Sequence, residues 1–160
     1  MRKIKGLSAL LLGMGLLAGS LSGCGKKQAQ PEELLTEYIG LLNQENYGDM
    51  YEFLTEEAQE TTDKETYVNR YKNIYGGIEA SDIRADIKEP GEKKDEKAET
   101  QRVKYTLTMD TIAGELSFDT VAIFTKNEDG AYKMSWDSQD IFPNLYNEDK
   151  VKVVTTYAKR

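Results

Sequence analysis

The chain is 160 residues long, with 21 Lys+Arg against 28 Asp+Glu and a formal net charge of −7. It has no histidine and one cysteine, which excludes Ser-His-Asp or Cys-His catalysis within the chain and zinc sites built from His and Cys. The acidic balance offers nothing to a phosphate backbone and argues against a nucleic-acid partner.

Met1 to Lys5 carries three basic residues, and an apolar run over residues 7–18 follows. A basic start followed by a short apolar run is the pattern of a secretory signal. The run falls short of the roughly 20 apolar residues of a membrane span, and Gly13, Gly15 and Gly19 weaken it further as a helix. It ends in Leu21-Ser22-Gly23-Cys24, which resembles the lipobox of bacterial lipoproteins. That resemblance implies a diacylglyceryl group on Cys24, removal of residues 1–23 as a signal peptide, and anchoring at the extracytoplasmic face of the bacterial cell membrane. Acyl chains supply about 0.8 kcal/mol per buried CH₂. An ordinary signal with a chance cysteine, or a short uncleaved anchor, is the alternative. Residues 1–23 hold three basic and no acidic side chains, so the remainder has a net charge of −10. With Cys24 acylated no thiol is left for a disulfide, and the domain must fold by packing alone.

Residues 24–30 are small and polar after the cysteine and are expected to form a tether, reaching roughly 20 Å when extended. Pro31 opens a helix, followed by Glu32 and Glu33 in its first turn. Leu34, Leu35, Tyr38, Leu41 and Leu42 make one apolar stripe. A second helix is predicted from Tyr47 to about Ala58, with Met50, Tyr51, Phe53 and Leu54 inward. A capping box of Thr62 and Glu65 starts a third, striped by Tyr67, Val68, Tyr71, Ile74 and Tyr75. Gly76-Gly77 is expected to end it.

The period then changes to two. Residues 81–89 alternate weakly, and the charged stretch 89–99 is expected to be a solvated hairpin tip. Val103, Tyr105, Leu107 and Met109 share one face of a strand. Leu116 and Phe118, then Val121 and Ile123, are spaced as if the phase slips at Asp119-Thr120, which predicts a β-bulge there and a bent sheet. Residues 127–130 form a turn with Gly130 left-handed. Tyr132, Met134 and Trp136 return inward, and residues 150–160 are strand-like. The fold class is therefore α+β: three N-terminal helices packed on a strongly bent antiparallel sheet. No repeat and no spaced Asp/Asn calcium loop is present, so no metal or cofactor is expected.

Three stretches together resemble a known family: residues 31–55, the segment Trp136-Asp137-Ser138-Gln139-Asp140-Ile141-Phe142-Pro143-Asn144-Leu145, and residues 149–160. They look like the nuclear-transport-factor-2-like N-terminal domain of class B penicillin-binding proteins of the methicillin-resistance type. The resemblance spans roughly residues 31–160, and its most specific residues are Trp136, Ile141, Phe142, Pro143 and Leu145. It implies a cone-shaped, cystatin-like fold and a non-catalytic role. In the family this domain spaces a transpeptidase from the membrane in peptidoglycan synthesis, with other cell-wall synthesis proteins as partners and the response to β-lactam antibiotics as context. The Ser-x-x-Lys, Ser-x-Asn and Lys-Thr-Gly motifs of the transpeptidase are absent from this sequence. Acylation by a β-lactam through that mechanism is therefore excluded here. The stop at Arg160 leaves two expectations open, a fragment of a longer protein or a stand-alone spacer.

Two other functions are open to this sequence. Tyr105, Trp136, Asp110 and Asp119 could line the open end of a cone as a ligand or acid-base site, against the simpler expectation of core aromatics and solvated carboxylates. Ten tyrosines could also form an exposed patch for a protein partner, although most lie on the helical stripes. For Trp136 and residues 141–145, closing the base of the cone stands against docking to a following domain.

Overall fold

Helical periodicity gives way to strand periodicity near residue 80, and the architecture changes at the same place. The computed structural model describes residues 28–88, 98–146, 154 and 156. Helix α1 is Pro31–Asn43, α2 is Tyr47–Met50 and continues as a 3₁₀ turn over Tyr51–Phe53, α3 is Glu56–Thr61, and α4 is Lys64–Gly77. Strands β1 (Ser81–Ile87), β2 (Thr100–Thr111), β3 (Gly114–Lys126) and β4 (Tyr132–Met134) follow. They form one antiparallel sheet in the order β1-β2-β3-β4, curled into a half-barrel against the helices. This is the predicted α+β arrangement. The predicted signal peptide, Cys24, most of the 89–99 hairpin tip and most of the 150–160 strand lie outside the described residues.

In α1 the Glu33 carboxylate accepts the Gln30 N–H at 2.9 Å. Leu35, Tyr38, Ile39 and Leu42 are its buried residues besides Pro31, with Leu34 and Leu41 half-buried. The predicted second helix is not continuous. The chain extends at Leu54, where Leu54 bridges Met134 and the Thr55 N–H donates to the Met134 carbonyl at 2.9 Å. Thr55 then caps α3 by accepting the Ala58 N–H. An apolar pattern that reads as one helix is thus broken by a strand contact far along the chain.

The cap of α4 also differs from the expected Thr62 and Glu65 pair. Asp63 accepts both the N–H and the hydroxyl of Thr66, at 2.9 and 2.7 Å, which holds its carboxyl below the usual range. Thr62 is buried, and its carbonyl accepts the Tyr51 hydroxyl.

Helix α4 ends at the glycine pair, as predicted, but neither glycine takes the left-handed position. The helix runs through Gly77, and the left-handed residue is Glu79, φ 52°. Glu79 and Ala80 donate back to the carbonyls of Gly76 and Tyr75, a Schellman closure. Helix α1 ends the same way, with Glu45 at φ 55°. A side chain in this conformation costs about 1–2 kcal/mol that glycine avoids. Glu79→Gly is expected to raise stability by roughly 0.5–1 kcal/mol in urea unfolding. A lower midpoint would show that the Glu79 side chain has a stabilising contact of its own.

Strands β2 and β3 pair without a slip from Thr100↔Thr125 to Thr111↔Gly114. No bulge therefore lies at Asp119-Thr120. Thr120 faces Tyr105 across the ladder, on the inner side with Leu116, Phe118, Ala122 and Phe124, while Val121 and Ile123 face outward. One polar residue in the inward row had the appearance of a phase shift. The register irregularity lies in β1 between Ser81 and Arg84, with Asp82 at φ 48°. Asn43 ties this end of β1 to α1: its side chain donates to the Ile83 carbonyl at 2.9 Å and accepts the Ile83 N–H at 3.0 Å. Val103, Tyr105, Leu107 and Met109 are buried as predicted, as are Tyr132, Met134 and Trp136. They join the helical stripes in one core.

Candidate functional site

Helix α4 spaces Tyr67, Tyr71 and Tyr75 four residues apart, which stacks their side chains along one face. All three are buried. Tyr38 of α1 completes a hydroxyl chain, 2.7 Å from both Tyr67 Oη and Tyr71 Oη. The Trp136 indole N–H donates to Tyr71 Oη at 3.0 Å. The Trp136 ring meets Tyr67 edge-on, with centroids 4.9 Å apart. Burial raises the hydroxyl pKa of Tyr38, Tyr67, Tyr71, Tyr75 and Tyr105 above the ordinary tyrosine range. These groups therefore stay neutral in the core, and none supplies a base at neutral pH.

The segment after Trp136 folds over this ladder. Asp137 caps a 3₁₀ turn, Ser138–Asp140, by accepting the Gln139 N–H at 2.7 Å, and the Asp137 N–H donates to Asp140 Oδ2 at 2.8 Å. Arg70 of α4 donates to the buried Ser138 hydroxyl. Ile141 is fully buried, and its carbonyl accepts the Tyr75 hydroxyl at 3.2 Å. Phe142 is half-buried, with its ring centroid 5.4 Å from Phe118 and 6.5 Å from Tyr75. Leu145 packs half-buried against the core, while Pro143 is exposed. Of the residues singled out in the sequence, Trp136, Ile141 and Phe142 thus come together as a clasp on α4, while Leu145 packs against the core and Pro143 lies at the surface.

The suggested cone-mouth site does not assemble. Tyr105 and Trp136 are buried, but Asp110 and Asp119 are exposed. Asp119 lies on the outer side of the sheet, accepting from Lys88 at 2.8 Å and Thr106 at 2.7 Å. These bonds hold its carboxyl below the usual range. Among the described residues no cluster of three or more metal-binding side chains occurs, and no helix is long and apolar enough to cross a membrane. An open groove of about 540 Å³ lies between α3 and the β3–β4 turn. It is lined by Glu52, Glu56, Glu57, Lys126, Glu128 and Lys133, among others.

Asp140 escaped the sequence reading, although its spacing from Asp137 is a capping-box signature. The residue is partly exposed, but its carboxyl is enclosed and pushed up to about 7, chiefly by burial and further by the Asp137 carboxylate, against the Asp137 N–H that favours the ion. A folded pKa above the unfolded one gives stability that is complete below about pH 4 and lost as pH rises through about 7. Asp140→Asn keeps an acceptor for the Asp137 N–H and cannot ionise. Its urea midpoint relative to the parent is expected to rise between pH 5 and pH 8. A difference that stays constant over that range would show that the carboxyl titrates normally.

Residues 30–149 match the family described as the NTF2-like N-terminal transpeptidase domain. The chain is 26% identical over 154 residues to penicillin-binding protein 3 of Bacillus subtilis (strain 168), covering 94% of this chain and 23% of that protein. It therefore spans about a quarter of that relative's length. A crystal structure of a sec-c motif containing protein from Psychrobacter arcticus aligns with a TM-score of 0.47 at 12% identity, over 77% of this chain and 62% of the other. With most of its length matched by that family model, the chain belongs to the NTF2-like N-terminal transpeptidase domains.

Proposed function

We propose that this domain is the non-catalytic, lipid-anchored spacer of a penicillin-binding transpeptidase. It holds the catalytic domain off the extracytoplasmic face of the membrane during peptidoglycan synthesis. Cys24 carries the lipid, the few residues between Cys24 and Gln28 form a short leash, and the folded domain carries the chain outward. Any part in the response to β-lactams runs through the transpeptidase. The observation that carries this reading is the family match over residues 30–149. The clasp over residues 136–142 supports it. It ties residues 136–141 to α4 through Trp136, Ser138 and Ile141.

The size of the native product tests the proposal. Membranes of the source cell are probed with an antibody to this domain, and the same gel is labelled with fluorescent penicillin. The expected result is one band several times larger than 18.1 kDa that takes both labels. A penicillin-negative band near the mature size would overturn it in favour of a free-standing lipoprotein. For that alternative, the groove beside α3 is the surface to examine for a ligand.

A further inference from the structure

The chain enters the domain at a defined place. The Gln28 side-chain N–H donates to the Asp129 carbonyl at 3.1 Å. The same side chain lies 3.7–3.8 Å from where a Cβ on Gly130 would sit. Gln30 donates to the Gln28 carbonyl at 3.3 Å, and Pro31, buried, begins α1 directly afterwards. The tether therefore meets the body of the domain at the β3–β4 turn, residues 127–130.

That turn marks one end of a long sheet. Thr100 pairs with Thr125, so the start of β2 lies at the same end. The turn between β2 and β3, residues 111–114, lies at the other. β3 spans 13 residues, so the two turns are separated by up to about 40 Å along the strand. Only four peptide steps separate Cys24 from Gln28, a reach of about 14 Å at most.

We propose that the domain stands on the bilayer in one orientation, with the turn at residues 127–130 facing the lipid headgroups and the turn at residues 111–114 pointing away. The proposal rests on Cys24 being the lipid anchor, and its partner surface is the bilayer itself. Geometry decides the orientation. Inverting the domain would require a leash of about 14 Å to span a body up to about 40 Å long. Charge does not assist, because Glu128 and Asp129 on the near turn are exposed carboxylates that repel anionic headgroups. Orientation is therefore set by the covalent leash and its latch at Gln28. The exposed Ile112 at the far turn is carried away from the membrane.

The test uses the lipidated full chain. Acylation consumes Cys24, so Asp129→Cys or Ala113→Cys introduces one labelling position. Asp129→Cys keeps the backbone carbonyl that Gln28 binds. A donor dye is placed there, and the acceptor is attached to headgroups of phosphatidylglycerol–phosphatidylethanolamine vesicles. Energy transfer from position 129 is expected to exceed that from position 113 at least two-fold. Gln28→Gly is expected to shrink the difference, and an unchanged difference would overturn the latch. Equal or reversed transfer in protein that floats with the vesicles would overturn the orientation and leave the anchor intact. Protein that fails to float would overturn the anchor itself.

Discussion

Trp136→Ala lowers the stability of the domain by about 3–5 kcal/mol, the cost expected when a buried aromatic is deleted from a core that only partly relaxes. The ring is 5% exposed. It packs edge-on against Tyr67 and lies 6.4 Å, centroid to centroid, from Tyr71. Its indole N–H is used inside the core. Truncation therefore leaves a void and removes the donor to the Tyr71 hydroxyl. Since domains of this kind are stable by about 5–15 kcal/mol in total, a loss of this size shifts the urea midpoint far enough to read without ambiguity. A midpoint equal to that of the parent would mean that the ring serves a following domain rather than this one.

Tyr71→Phe is expected to cost about 1–3 kcal/mol, although it removes one oxygen and almost no apolar area. The reason is the hydrogen-bond chain. Without the hydroxyl, the buried Trp136 N–H loses its acceptor, and Tyr38 keeps only Tyr67. A buried donor without a partner is costly because it has given up water and received nothing. The same substitution in a Trp136→Phe background has no indole to orphan and should cost about 1 kcal/mol less. Equal costs in the two backgrounds would show that the Trp136–Tyr71 bond contributes nothing to stability. Tyr67→Phe is a useful comparison, because it leaves Tyr38 bonded to Tyr71 and should be the milder change.

Local patterns were readable where one element decides its own geometry. The clean alternation at Val103, Tyr105, Leu107 and Met109 predicted a buried face, and the structure buries all four. Pro31 and the two glutamates after it marked the start of α1 correctly. Gly76 and Gly77 marked the end of α4, but the left-handed residue is Glu79. The closing backbone bonds come from Glu79 and Ala80, just beyond the last helical residue, Gly77. A residue with a Cβ can hold the left-handed position when the backbone bonds of the closure fix it there. Leu54 likewise reads as helical by period, but the Met134 carbonyl claims the Thr55 N–H.

Composition and order of elements, read from the sequence alone, determined the class of fold, the exclusion of histidine and zinc chemistry, and the segments that resemble a transpeptidase's N-terminal domain. Tertiary structure decided which tyrosines share hydroxyls, that residues 136–142 clasp α4, that Asp119 faces outward, and that Gln28 meets the β3–β4 turn. The division follows from range. Periodicity and capping depend on neighbours within about four residues, whereas the Tyr38–Tyr71, Tyr71–Trp136 and Gln28–Asp129 contacts join residues 33, 65 and 101 positions apart. No local pattern encodes such pairs. They arise only when the helices and the sheet close on one another.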